Sequence, residues 1–276
     1  MRSVFLFGVR IDDLSSDELE ARLLQCINSG TPSLIVTPNP EFLLEACEND
    51  EFRSVLNKGA VSLPDGIALR FAAAAMNGIH NLHRHPGVDI LPMIATMCRD
   101  EGMPLVLLGA TDIILAQVKM RFATLAEGIL VMTVNPGIID EKNPKLSQNI
   151  IKHLRGLGPC CVAVALGQGS GQSQGKQEHI AAQIVDTIRN ARIVIGVGGA
   201  LDMIAGSVQR APMLFRRLGL EWLWRLILEP WRFRRIFRAV ILFPALVFWD
   251  TVQKNRWGRA LIDVVQELRL HFFFRS

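Results

Sequence analysis

No apolar run in this 276-residue chain approaches the roughly 20 residues that a spanning helix needs. The longest charge-free apolar stretch, Ala239–Trp249, has eleven residues and is broken by Pro244. The sequence therefore predicts a chain that lies on a bilayer or dips into it without crossing. The start, MRSVFLFGVRIDDL, offers six apolar residues before Arg10, too short and too soon charged for a secretory leader. Cysteine is scarce, and the five present (26, 47, 98, 160, 161) follow no metal or redox spacing. Reduced thiols filling a core are expected. There is no Asp-x-Asp pair and no G-x-x-x-x-G-K-[ST] loop, and the six histidines lack zinc-site spacing. His80, His83 and His85 cluster, but no Cys or acidic residue lies within a few positions, so an exposed helix-end group is expected.

What is present is unevenly distributed. Residues 207–276 hold 13 Lys and Arg against 5 Asp and Glu, whereas residues 1–206 hold 17 against 21. Between Arg210 and Trp249 lie eight Arg, four of the five Trp and no Lys. A neutral-to-acidic body joined to a basic, aromatic tail predicts contact with an anionic membrane surface through 207–276, not with nucleic acid. Trp222, Trp224 and Trp231 read as interfacial anchors or packing, and Glu221 and Glu229 as internal salt partners. An exposed apolar face on the tail also allows self-association into a homo-oligomer.

Short apolar runs alternate with amphipathic stretches. The runs are 4–9, 33–37, 60–63, 104–109, 129–134, 161–167 and 192–198. Helical segments are expected at 15–29, 40–57, 88–101, 112–125, 143–156 and 177–190. The alternation predicts an α/β, Rossmann-like fold, with a mainly parallel sheet covered by helices on both faces. Residues 1–206 form its core, and 207–276 a basic amphipathic helical appendage. The strand exits carry Thr37 and Asn39, Asp65, Gly109, Asn135, and the turn Gly196-Val-Gly198-Gly199 followed by Asp202. Ligands of parallel sheets bind beyond such ends. The turn does not complete G-x-G-x-x-G, because residue 201 is Leu, which argues against a dinucleotide. The GQGSG run at 167–171 has the form of a nucleophile elbow, but its Gly/Ser/Gln-rich setting predicts a flexible loop.

These pieces together resemble the bacterial WecG/TagA/CpsF glycosyltransferases. The resemblance runs from about Thr37 to Arg238 and is sharpest in GVGGALDMIAGSVQRAPMLFRRLGLEWLWRLILEPWRFRR. TPNPEFLLEA, PDG, RHPGVDILP, PLVLLGAT and KQE support it. It implies an inverting, metal-independent transfer that uses no cofactor. A sugar, N-acetylmannosamine or its uronic acid, would pass from a UDP-sugar to a polyprenyl-diphosphate-linked N-acetylglucosamine. The place would be the cytoplasmic face of the bacterial membrane, with the protein held peripherally. It further implies that Asp65 is the base, and that Thr37, Asn39, Arg84 and Gln177 line the pocket. Gly109, Gly198, Gly199 and Asp202 would border the donor, and Arg225, Arg232 and Arg235 would close over it. The spacing of those arginines, seven then three, predicts one helical face. Two departures stand out. The turn before Lys176 is about six residues longer than in relatives, and the chain has no tyrosine. A catalytically silent, membrane-binding scaffold of a polysaccharide assembly complex is the competing reading.

Overall fold

The computed structural model describes residues 2–140, 143–166 and 175–273. The GQGSG run and most of the long turn before Lys176 lie outside them. The chain opens with a hairpin, β1 (Arg2–Leu6) and β2 (Val9–Asp13), paired antiparallel with Leu6 opposite Val9. This corrects the expectation of one strand over 4–9. Phe7 and Gly8 both take positive φ, +50° and +77°, as a two-residue hairpin turn of the I′ kind requires.

The remaining strands are β3 (Ser33–Val36), β4 (Val61–Ser62), β5 (Leu105–Gly109), β6 (Val131–Val134), β7 (Cys160–Ala165) and β8 (Ala191–Gly196). They form one parallel sheet in the order β4-β3-β8-β7-β5-β6. Alternate side chains feed separate cores on the two faces. Leu34, Val36, Val106 and Leu108 pack into one, and Ile35, Leu105 and Leu107 into the other. Burial on both faces is why these strands read as continuous apolar runs.

Helices α1 (Ser16–Asn28), α2 (Pro40–Glu48), α3 (Asp50–Asn57), α4 (Ala68–Asn77), α5 (Gly87–Asp100), α6 (Asp112–Leu125), α7 (Gln148–Arg155), α8 (Lys176–Thr187) and α9 (Ala200–Ala205) connect them. Ser15 caps α1 in a reciprocal capping box with Glu18. The expected helix over 40–57 is two, because Asn49 leaves helical geometry and caps α3 through its side chain. Helix α4 was not foreseen. The hairpin seats on the edge strand β4 through the buried Asp12, whose Oδ2 accepts from the Ser62 backbone N–H at 2.8 Å. That contact fixes the strand three residues before Asp65. All five cysteines are free, and only Cys47 is exposed.

The last 64 described residues form α10 (Met213–Arg217), α11 (Glu221–Leu228), a 3-10 turn (Pro230–Arg232), α12 (Phe233–Phe237), a π turn (Arg238–Leu242), α13 (Phe243–Gln253) and α14 (Trp257–Phe273), after the loop that begins at Arg210. The π turn immediately precedes α13, in which Pro244 has no N–H to donate backwards. From Pro230 to Gln253 the helical turns run on without a break for 24 residues, and an 18-residue window within them has mean hydropathy 1.5. The expectation that no segment reaches spanning length is therefore corrected. By length and composition this one does, because helix continuity is not interrupted at Pro244 or by the arginines. Its contacts, however, tie it to the core. Phe243 and Val247 are buried in the same cluster as β1 and α4, and Arg235 Nε donates to Glu41 of α2 at 2.9 Å.

Candidate active site

Because all six strands of the large sheet are parallel, their exits open on one side. An open cleft of about 1810 Å³ lies there, roofed by residues of α11, the 3-10 turn and α12. Every residue to which the resemblance gives a catalytic or substrate-binding role borders it. The β3 exit supplies Thr37 and Asn39, the β4 exit Asp65, the β5 exit Gly109, and the start of α8 Gln177. The β8 exit supplies Gly198, Gly199 and Asp202, the loop before α5 supplies Arg84, and the appendage Arg225, Arg232 and Arg235.

Local chemistry explains several of these placements. Asn39 caps α2, its Oδ1 accepting from Phe42 N–H at 3.0 Å, so a helix N-terminus begins at the cleft wall. Gly109 has φ of +99°, and a Cβ there would stand 2.5 Å from the Ala165 carbonyl oxygen. Asp65 is half-buried at the floor, its backbone N–H donating to Pro38 carbonyl at 2.8 Å. Burial pushes its carboxyl up to about 6, against the opposing pull of Arg84 and Arg225. A base with that affinity is ionised at neutral pH yet retains appreciable proton affinity.

Gln177 is buried and fully engaged. Its Oε1 accepts from Gly198 N–H at 2.7 Å, and its Nε2 donates to Glu178 Oε1 at 2.9 Å. A Cβ on residue 196 would stand 2.4 Å from Gln177 Nε2, so a side chain there would push Gln177 out of these bonds. Glu178 was not singled out from the sequence. It is buried beside the cleft, and burial pushes its carboxyl up to about 7, although the Gln177 bond favours the charged form.

The arginines of the roof arrive paired. Arg225 Nε donates to Glu229 Oε2 at 2.8 Å, and Arg232 Nε lies 2.9 Å from the same oxygen. Burial acts to raise Glu229, but these two bonds outweigh it and hold the carboxyl below its usual range. Arg84 Nη1 donates to Glu221 at 2.7 Å. Glu221 and Glu229 are thus internal salt partners, as expected. The expectation that Arg225, Arg232 and Arg235 share one helical face is corrected. They stand on α11, the 3-10 turn and α12, because the chain leaves helical geometry at Glu229, ahead of Pro230. Asp202 faces them, its carboxyl raised by burial and lowered by Arg225 and Arg232. Of the histidines expected as an exposed helix-end group, His83 is exposed just beyond α4, whereas His80 and His85 are half-buried. His83 Nδ1 lies 2.8 Å from Asp13, His85 Nε2 lies 2.7 Å from the Leu14 carbonyl, and His80 faces Asp263 and Glu267.

A family model described as the glycosyl transferase WecG/TagA/CpsF family matches residues 4–257. The chain belongs to that family. Membership of the WecG/TagA/CpsF family makes it a glycosyltransferase of bacterial cell-surface polysaccharide synthesis, with a sugar donor and an acceptor. The match takes in the hairpin, the whole sheet, the cleft and the appendage through α13, and stops at the first residue of α14.

Proposed function

We propose that this glycosyltransferase inverts configuration and moves N-acetylmannosamine, or its uronic acid, from a UDP-sugar to a lipid-diphosphate-linked N-acetylglucosamine. The observation that carries the reading is Asp65, a half-buried carboxyl of raised proton affinity on the floor of a cleft roofed by arginines. Its carboxylate takes the proton of the acceptor hydroxyl as that oxygen attacks the anomeric carbon. The bond from that carbon to the UDP oxygen breaks on the opposite side, and the diphosphate leaves with the electron pair. Its growing charge is met by the guanidinium groups of Arg225, Arg232 and Arg235 and by the N–H groups of the 198–199 turn. In this reading no metal is required for that step. Thr37 and Asn39 orient sugar hydroxyls, and Arg84 holds the floor beside Asp65.

The appendage, residues 207–276, rests on an anionic membrane at the cytoplasmic face, where the acceptor is found. Support comes from its exposed arginines and aromatics. Phe243 and Val247, packed into the core, favour a helix lying along the protein over one leaving it to span the bilayer.

The test is transfer from UDP-N-acetylmannosamine to a short-chain lipid-diphosphate N-acetylglucosamine, read by mass spectrometry. Asp65→Asn is expected to lower the rate by about 10²–10⁴-fold with little change in donor affinity. Unchanged transfer would overturn the role of Asp65. A wild-type protein that binds vesicles and transfers nothing to any acceptor would favour the scaffold.

A further inference from the structure

Helix α14 lies almost wholly beyond the family match, and its amphipathicity is inside out. Most side chains turned into the protein are polar: Asp263, Glu267 and His271 are buried, with Ala260 one turn before them. The side chains turned outward are large and apolar: Trp257, Leu261, Ile262, Val265, Leu268 and Phe272 are 39–66% exposed. At about 100° per residue, five of these six fall within an arc of about 80°, and Ile262 borders it. The inner face is held chiefly by buried charge, with Ala260 and Val264 adding apolar contact to the core. Arg70 of α4 donates through Nε to Glu267 at 2.8 Å, Asn81 N–H donates to the other oxygen of Glu267 at 2.8 Å, and Arg256 lies 3.6 Å from Asp263.

The charges are sorted as well. The two acidic residues of α14 point inward, whereas its two arginines, Arg259 and Arg269, point outward, together with Lys254 just before it. The outer surface of this segment therefore carries positive charge and apolar side chains, and no carboxylate of α14. A second copy of the chain meeting this face by a two-fold axis would set arginine against arginine. A layer of anionic headgroups over acyl chains complements both features at once.

We propose that α14 is an insertion helix: its outer face enters the acyl boundary of an anionic bilayer, while its inner ionic face keeps it locked to α4. The inference rests on the membrane reading of the appendage and sharpens it, because it assigns the depth-seeking contact to a helix outside the family pattern. Basic residues elsewhere in the tail would then supply the salt-sensitive part of binding, and α14 the part that survives high salt.

Co-sedimentation of the full chain with phosphatidylglycerol–phosphatidylcholine vesicles, at low and high salt, tests this. The variant Leu261→Ser/Ile262→Ser/Val265→Ser/Leu268→Ser is expected to lose at least tenfold in vesicle affinity at high salt while retaining its far-UV circular dichroism. Unchanged high-salt binding by that variant, with binding abolished by Arg217→Gln/Arg234→Gln, would sink the insertion helix and leave the membrane reading standing. No binding by wild type would sink both. Wild-type dimers that become monomeric in the serine variant, with vesicle binding unaltered, would assign the face to a second copy instead. Should the variant not fold, depth is read in the wild type. Acyl-brominated lipids are expected to quench its tryptophan emission more than that of Trp257→Phe, and equal quenching would overturn the proposal.

Discussion

As the proposed base, Asp65 meets two opposed demands, to be charged enough to accept a proton and unsolvated enough to want one. Burial sets its proton affinity near 6, and Arg84 and Arg225 keep it from rising further. The folded pKa lies above that of a free aspartate, so the protein binds this proton more tightly than the unfolded chain does. Asp65 thus subtracts stability as pH rises from about 4 through 6. Activity moves the other way. With Asp65 as base, kcat/KM is expected to climb with pH and level off above an apparent pKa near 6, a limb that a pH–rate profile of Asp65→Asn should lack. Glu178 supports a second prediction. Its carboxylate accepts from Gln177, which in turn holds the Gly198 N–H. Glu178→Leu removes the acceptor and should raise the donor KM more than it lowers kcat. Glu178→Gln, whose carbonyl can still accept, should restore most of it. Equal damage by both changes in steady-state kinetics would show that the charge itself matters. At this scale the sequence was informative where polar residues recur at the exits of apolar strands, as at Thr37, Asn39 and Asp65. Glu178 and Asp12 escaped it, because a carboxylate in the first turn of a helix or near a strand end looks solvated until the fold buries it.

Elements were legible where their pattern depends only on period. The strands of the parallel sheet, buried on both faces, show as plain apolar runs, and α6 falls where its Thr111 cap and spacing put it. The hairpin escaped notice because Phe7 takes a positive φ that side chains avoid, and nothing in Phe-Gly announces it. Helix α14 shows a deeper limit. Periodicity reveals that a helix has two faces but not which one is turned inward, and here the ordinary assignment is reversed. The lock between α4 and α14 follows from that reversal. Glu267→Ala would leave Arg70 buried without its carboxylate and is expected to cost about 3–5 kcal/mol. Replacing both residues by Met should cost far less. Thermal unfolding of the single and double variants measures the difference.

Across the whole molecule, core and appendage are joined by ion pairs as well as by packing. Arg210 forms two hydrogen bonds with Asp89 of α5, at 2.7 and 2.8 Å, and Arg84 and Arg235 each span from one part to the other. The charge asymmetry of the sequence set residues 207–276 apart, but gave no sign that Phe243 and Ala260 would complete a core begun by β1 and α4. A chain cut after Gly206 would therefore expose that core. It is expected to melt at lower temperature or without a cooperative transition, and scanning calorimetry reads this. Membrane contact is better probed by Arg217→Gln/Arg259→Gln/Arg269→Gln, all exposed, which should weaken vesicle binding several-fold at low salt and little at high salt.

Five of the arginines at the cleft, Arg84, Arg210, Arg225, Arg232 and Arg235, hold a carboxylate of the protein itself. The cleft mouth is therefore a set of occupied anion sites, not a bare positive field. On the proposed reading a diphosphate would enter by exchange, one anion for another, and displace few counterions from solution. Its affinity should fall less steeply with salt than a count of the arginines suggests, and stray polyanions would find little there to hold.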